Sequence, residues 1–249
     1  IRREEGKEIR KAFRAEKKDW KIFSFDYSQI ELRIMAHYSK DPSMIDAFVN
    51  NKDIHSQTAS SVFNVPIDNV LPEMRRTAKI VNFGIMYGAG AFRLSQELSI
   101  PRKEASLIIN KYFEQFPGIK SYINDTIDSA RINKYVETIF GRKRSIWDID
   151  SENGIRKKAA ERMAINMPIQ GSAAEMIKVA MIAIQEDLTK NAMKSKMILQ
   201  IHDELIFECP QQEEDLLVNL VVGKMENAMK LSVPVVVDYG LGNSWLEAH

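Results

Sequence analysis

Residues 20–26, Trp-Lys-Ile-Phe-Ser-Phe-Asp, interleave apolar and polar positions and are rich in aromatics, the pattern of a strand running into Asp26. Ile30, Leu32, Ile34 and Met35 follow in a segment able to turn helical. From about 40 to 155 the pattern is mostly helical, with Pro42, Pro66, Pro72, Pro101, Pro117 and Gly118 as boundaries. Inside it, residues 135–149 read as a short hairpin or loop. An amphipathic helix over 155–166 is expected to stop near Pro168, and a second to begin with the capping box Ser172-Ala-Ala-Glu175. Ile177, Met181, Ile184 and Leu188 keep helical spacing, so this helix packs on something flat. Met197 to Glu208 holds two β runs around His202-Asp203-Glu204, a hairpin with acids at its tip. A last helix over about 211–231 and a strand over Val233–Asp238 complete the pattern. The β parts at the two ends should join in one antiparallel sheet, with helices on one face and an all-α insertion projecting from it, an α+β fold.

Composition narrows the class. Of 249 residues 45% are hydrophobic and 28% charged, which fits a globular chain with a sizeable core. No run of eighteen apolar residues offers a membrane span, and the basic start lacks the apolar stretch of a secretory signal. A single cysteine, Cys209, excludes an internal disulfide framework and a cysteine-rich zinc site. The first residue is Ile rather than Met, so a fragment or processed form is expected. Net charge is only +1, too small by itself to mark a nucleic-acid binder. The charge is nevertheless uneven. Residues 200–249 carry two basic and nine acidic side chains, net −7, which leaves +8 on residues 1–199. Basic groups concentrate in 1–21 and 131–162, nine against five acids in each. Each cluster alone reads as a solvated surface.

Two constellations carry candidate chemistry. Asp26, with Glu31 five residues on, and the adjacent Asp203 and Glu204 sit where strands end or turn. Any one of them alone reads as a turn residue. Two aspartates brought together at a strand end and a hairpin tip repel one another unless a divalent cation compensates. Hard oxygen ligands without cysteine or clustered histidine point to Mg²⁺, and paired carboxylates holding two such ions about 4 Å apart are a standard means of in-line phosphoryl transfer. The second constellation is Arg75, Lys79, Phe83 and Tyr87, each four apart, a helical stripe of two cations followed by two aromatics. Cations suit a triphosphate and aromatics a sugar or base; the same spacing also suits an amphipathic helix with its aromatics in a core. Gly84 and Gly88 allow a close approach to this helix or end it. Gly88-Ala-Gly90 trails a helix instead of linking a strand to one, which removes a dinucleotide fingerprint.

Asp26-Tyr-Ser-Gln-Ile-Glu-Leu-Arg33, the segment from Arg75 to Gly88, and Gln200-Ile-His-Asp-Glu-Leu205 resemble, in order and spacing, the three polymerase motifs of the bacterial DNA polymerase I family, family A. The resemblance extends to Asp53-Ile-His55, Ser95-Gln-Glu-Leu98, Tyr135-Val-Glu-Thr138, Gly141-Arg142 and the run from Ala159 to Gly171. It implies a right-hand polymerase architecture without the thumb: palm over 1–36, fingers over 37–168 and palm again over 169–249. It implies a DNA-directed DNA polymerase acting on primer-template and dNTPs with two Mg²⁺, monomeric, without a membrane, in the bacterial cytoplasm at the nucleoid. By that resemblance Asp26, Asp203 and the Tyr27 carbonyl hold metal, and Glu204 assists. Arg75 and Lys79 grip the triphosphate, Lys79 also protonating the leaving group, with His55 on the same phosphates and Gln29 beside the nucleotide. Phe83 stacks on the incoming sugar and base and implies poor use of dideoxynucleotides. Glu31 lies where a 2′-hydroxyl would collide, and Tyr87 caps the templating position. Arg162, Asn166 and Gln170, again four apart, face the minor groove together with His202, where acceptors recur in every base pair; Arg2 and Arg76 contact phosphates.

Two rivals remain in the sequence. One is a metal-dependent phosphohydrolase built on His202-Asp203 with His37 and His55, and the other a DNA-binding remnant that does not turn over. The segment is expected to lack the family's thumb and exonuclease domain, with a parent chain supplying missing parts.

Overall fold

A computed structural model describes residues 4–249, with side chains from residue 8 onward. Arg2 lies outside the described residues. In chain order the elements are helix α1 (Glu4–Ala12), strand β1 (Trp20–Tyr27), and helices α2 (Ile30–Ser39), α3 (Pro42–Val49), α4 (Ile54–Phe63), α5 (Pro72–Met86), α6 (Ala91–Leu98), α7 (Arg102–Gln115) and α8 (Pro117–Asn133). A short hairpin follows, β2 (Tyr135–Glu137) and β3 (Lys143–Ser145), then the long helix α9 (Gly154–Lys190). The chain closes with β4 (Lys196–Ile201), β5 (Glu204–Pro210), α10 (Glu214–Glu226), β6 (Val237–Gly242) and α11 (Trp245–Ala248). The residues fall into two compact units. One holds the chain up to Ile30 with Ala173–Lys230 and Val235–His249; the other holds Glu31–Ser172 with Leu231–Pro234.

The first unit is built on one antiparallel sheet of order β4-β5-β1-β6, so the strands from the two ends of the chain do pair. The central strand β5 is buried along its whole length, whereas the edge strand β4 alternates exposed and half-buried. Phe23, Phe25 and Phe207 fill one face, Phe25 meeting Phe207 edge-on with ring centroids 5.5 Å apart. The expectation of helices on one face is corrected. Side chains two apart on a strand share a face and neighbours do not. Ile22 packs with Ile206 against Trp245 and Ala248 of α11, while Tyr27, of opposite parity, donates its hydroxyl to the Met225 carbonyl of α10 at 2.7 Å. Helices therefore cover both faces. Gly240 and Gly242 make the α11 side possible, since a Cβ on them would lie 2.4 Å from the Ala248 carbonyl oxygen and 2.3 Å from Glu247 Cβ.

The second unit is helical, and prolines mark its boundaries as expected: Pro42 and Pro72 open α3 and α5, Pro101 precedes α7 and Pro117 opens α8. At the first helical position the missing N–H is no loss. Asp41, fully buried, caps α3 through Met44 N at 3.0 Å and accepts from Gly118 N at 2.8 Å, so one carboxylate joins the starts of α3 and α8. Lys143–Ser145 pairs with Tyr135–Glu137 in the expected hairpin.

Three boundaries differ from the sequence expectation. Helix α9 does not stop near Pro168 but runs through it to Lys190. Ser172 is not a cap; buried inside the helix, it donates to the Pro168 carbonyl at 2.5 Å and accepts from Ile139 N at 3.0 Å. Burial of Ala164, Ile165, Ile169, Met176 and Ile177 on either side of the proline holds the helix together across the single lost backbone bond. Helix α10 ends at Glu226 rather than near 231 because Asn227 closes it, its N–H turned back to Gly223. The final strand is Val237–Gly242, not Val233–Asp238. Pro234 has no N–H to give a ladder, and its carbonyl instead accepts from Arg33 Nη1 at 2.7 Å.

Candidate active site

The first unit gathers the acids. Strand register sets Asp26 directly opposite Glu204 on one side and Asp238 on the other, so the three carboxylates form a row across β5, β1 and β6 on a single face. Asp203 occupies the β4–β5 turn with His202, whose φ is +56°, and its carbonyl accepts from Tyr27 N at 3.3 Å. This last bond ties the end of β1 to the hairpin tip, and with it Asp26 to Asp203. Burial, reinforced by Asp203, Glu204 and Asp238, pushes the Asp26 carboxyl up to about 7. Burial likewise raises Asp203. One Asp26 oxygen, Oδ1, is buried with no hydrogen-bond partner among the described residues. An acceptor-only oxygen in that position is costly unless a donor or cation reaches it.

Glu204 is only 4% exposed, and its Oε1 accepts from Ser24 Oγ at 2.5 Å and Trp245 Nε1 at 2.7 Å, with His249 Nδ1 at 3.2 Å. Its orientation is thereby fixed. Gln29 takes a left-handed φ of +53° and has a buried Oε1 with no partner among the described residues. His202 stands exposed at the tip.

The donor set fits a hard divalent cation: carboxylate oxygens, one of them orphaned, with acids on neighbouring strands. Among the described residues no cluster of three or more His, Cys, Asp or Glu is arranged to hold a metal alone. A pair of aspartates supplying part of a shell suits Mg²⁺, which keeps waters or substrate phosphates as its other ligands.

The second unit carries the nucleotide-type residues. Arg75 and Lys79 are exposed on α5, Phe83 is half-buried, and Tyr87 forms the C-cap just beyond the helix. The stripe is real, and the Phe83 and Tyr87 rings sit 6.2 Å apart. Tyr87 donates its hydroxyl to Glu31 Oε2 in the first turn of α2. Arg76 is exposed beside Arg75. Gly88 has φ +71°, and a Cβ there would approach Arg162 Cγ to 2.9 Å, so its lack of a side chain lets α5 end against α9; Gly84 meets only ordinary contacts. Arg162 and Asn166 are half-buried on α9, Asn166 Oδ1 without a partner, and Gln170 is exposed.

His55, which the resemblance puts on the triphosphate, is a buried residue in this structure. It is 2% exposed, its Nδ1 lies 2.8 Å from Asn82 Nδ2, and Thr58 donates to Asn82 Oδ1 at 3.0 Å. Burial holds its pKa down to about 4. An unfolded histidine protonates near 6.5, so between about pH 6.5 and 4 the unfolded chain binds a proton that the folded chain refuses, and stability falls as pH falls. His55→Gln is expected to flatten this acid limb in denaturant titrations across that window; an unchanged slope would remove His55 as its source.

Sequence reasoning missed Asp238, Ser24, Trp245 and Asn82, and treated Asp53 only as a motif neighbour. Correct placement of the last strand would have set Asp238 beside Asp26. A cap signal at Asp53, with Ser56 three residues on, was there to be read.

An acid row on an antiparallel sheet and a cation–aromatic helix stripe now stand together with comparisons to known proteins. The model of DNA polymerase family A matches residues 1–247, and the chain belongs to that family. It is similar to DNA polymerase I of Bacillus subtilis, 50% identical over 248 residues, and to DNA polymerase I of Caldicellulosiruptor bescii, 51% identical over 247 residues. These alignments cover 100% and 99% of the chain but only 28% and 29% of the relatives, so the chain spans under a third of their length. The POL domain of Pol1 from M. smegmatis, solved in complex with DNA primer-template and dNTP, superposes with a TM-score of 0.95 at 44% identity, covering all of this chain and 44% of that one. Among the described residues no helix is long and apolar enough to cross a membrane.

Proposed function

We propose that the chain is the nucleotidyl-transfer part of a DNA-directed DNA polymerase, adding dNTPs to a primer 3′-hydroxyl on a DNA template. The observation that carries this reading is the buried, unpartnered Asp26 oxygen beside Asp203, within a row that also holds Glu204 and Asp238. Family membership and the bound primer-template and dNTP of the M. smegmatis relative support it.

In this reading Asp26, Asp203 and the Tyr27 carbonyl hold two Mg²⁺. Such ions lower the pKa of the attacking hydroxyl and neutralise the leaving pyrophosphate. Glu204, fixed by its donors, lies beside Asp26. Arg75 and Lys79 bind the triphosphate, and Lys79 can give a proton to the leaving group. Phe83 stacks on the nucleotide with Gln29 nearby, and Tyr87 borders the templating position. Arg162, Asn166, Gln170 and His202 read minor-groove acceptors common to all base pairs, and Arg76 and Arg2 contact phosphates. His55 supports α5 from within, through Asn82. The sheet-bearing parts read as a palm over 1–36 and 169–249 and the helical part as fingers over 37–168, a division within a few residues of the unit boundaries after Ile30 and Ser172. The full protein acts as a monomer in the bacterial cytoplasm, at the nucleoid.

Template-dependent pyrophosphate release by the full polypeptide tests this reading, since nucleotide hydrolysis without primer would favour the phosphohydrolase instead. Sugar selection gives a second test. The Tyr87 hydroxyl steadies the Glu31 carboxylate where a 2′-hydroxyl would have to fit, so Glu31→Ala is expected to raise ribonucleotide incorporation by about 10²-fold, the scale of a lost steric and polar exclusion. Unchanged discrimination in competition assays would take Glu31 out of that role.

A further inference from the structure

Arg75 carries a second relation that its place on the stripe does not require. Its Nε donates to Asp53 Oδ2 at 2.5 Å, with the two side chains 47% and 36% exposed. Among the described residues no other group bonds the Arg75 guanidinium. Asp53 is also the N-cap of α4: its Oδ1 accepts from His55 N at 2.9 Å and Ser56 N at 3.4 Å, and its Oδ2 from Ser56 Oγ at 2.9 Å. Burial works against the charged form, yet the bonds from Arg75, Ser56 and His55 prevail and hold the carboxyl below its ordinary range. One rigidly capped carboxylate therefore grips one edge of a guanidinium whose opposite edge, Nη1 and Nη2, is left to other acceptors.

A half-exposed ion pair adds little to stability. Orientation is a different matter. An arginine fork recognises an anion through two parallel N–H donors, and a free side chain must give up most of its rotamer freedom to present them. Anchoring Nε removes much of that cost before the ligand arrives.

We infer that Asp53 is a positioning residue for the nucleotide site: its cap-locked carboxylate fixes the Arg75 guanidinium so that the Nη edge is presented to the dNTP triphosphate. The inference rests on the reading that Arg75 binds that triphosphate. It assigns to Asp53 a role beyond starting α4: Oδ1 caps the backbone N–H groups, while Oδ2, which Ser56 Oγ also reaches, faces Arg75. The two roles are therefore separable. Asn is as good an N-cap as Asp, so in Asp53→Asn the Oδ1 cap persists while an amide donor replaces the Oδ2 that faces Arg75.

The test uses the full polypeptide with primer-template. Asp53→Asn is expected to raise the dNTP KM about tenfold, the scale of one charge-assisted hydrogen bond, with kcat, primer-template affinity and thermal midpoint little changed. Calorimetric dNTP titration of the complex should weaken by the same factor. Asp53→Ala, which loses the cap as well, is expected to lower the thermal midpoint in addition. In an Arg75→Ala background, Asp53→Asn should have no further effect on KM. A raised KM in Arg75→Ala with an unchanged KM in Asp53→Asn, or full additivity of the two substitutions, overturns the positioning role alone. An unchanged KM in Arg75→Ala instead removes the triphosphate reading of Arg75, and the inference with it.

Discussion

Asp26→Asn is expected to remove templated extension by about 10³-fold or more, several kcal/mol of lost transition-state stabilisation, and yet to make the metal-free protein more stable at pH 8. The loss follows from removing one of two carboxylates proposed to hold the catalytic ions. The gain follows from electrostatics already present in the fold. The Asp26 carboxyl is pushed up to about 7 by burial and by Asp203, Glu204 and Asp238, whereas an unfolded aspartate ionises near 3.9. Between about pH 4 and 7 the unfolded chain releases a proton that the folded chain retains. Stability therefore falls as pH rises through that window, and the full penalty persists above it. A neutral amide of the same shape avoids the penalty. With chelator at pH 8 the thermal midpoint of Asp26→Asn should exceed that of the wild type, and added Mg²⁺ should raise the wild type more than the variant. A lower midpoint in the variant, or an equal response to Mg²⁺, would contradict a repulsive cluster awaiting a cation.

Lys79→Ala is expected to lower the efficiency of dNTP use by about 10³- to 10⁴-fold while primer-template affinity stays near the wild-type value. Lys79 is exposed on α5 one turn beyond Arg75, and no carboxylate among the described residues pairs with it. The proposed role is to meet the triphosphate as a second cation on the same helix face as Arg75. One charge-assisted bond to phosphate contributes about 1.5–3 kcal/mol, and proton donation to a leaving group adds a factor of about 10². Single-turnover kinetics over a dNTP series, beside a DNA-binding titration, separates the two quantities. Weakened DNA binding with unchanged nucleotide use would reverse the assignment.

These predictions rest on features that differed in how plainly they could be read from the sequence. Strand β1 and the β4–β5 hairpin were legible because alternation and a short polar interruption are local signals, and they already brought Asp26 and Asp203 to strand ends. The α5 stripe was legible for the same reason, since a spacing of four survives whatever the helix packs against. Pro168 misled because a lone proline is a strong local stop, while what carries α9 past it is burial on both sides and the Ser172 hydroxyl. Val233–Val236 looked like a strand because it is apolar; the actual strand contains Gly240 and Gly242, whose reason is the close approach of α11. That shift hid Asp238. His55 was legible as a motif residue but not as a buried one, because Asn82 and Thr58 reach it from positions that no period links. The unequal charge of the two ends gained meaning only once the acids of the last fifty residues were seen to include part of a row around Asp26.

The most direct test of the central claim is single-nucleotide extension of a labelled primer on a DNA template with Mg²⁺, comparing the full polypeptide with its Asp203→Ala variant. The wild type is expected to extend the primer with the templated dNTP alone, pyrophosphate released in step, and the variant not at all, although both bind the primer-template. Extension by Asp203→Ala at the wild-type rate, or dNTP hydrolysis that needs no primer, would contradict it.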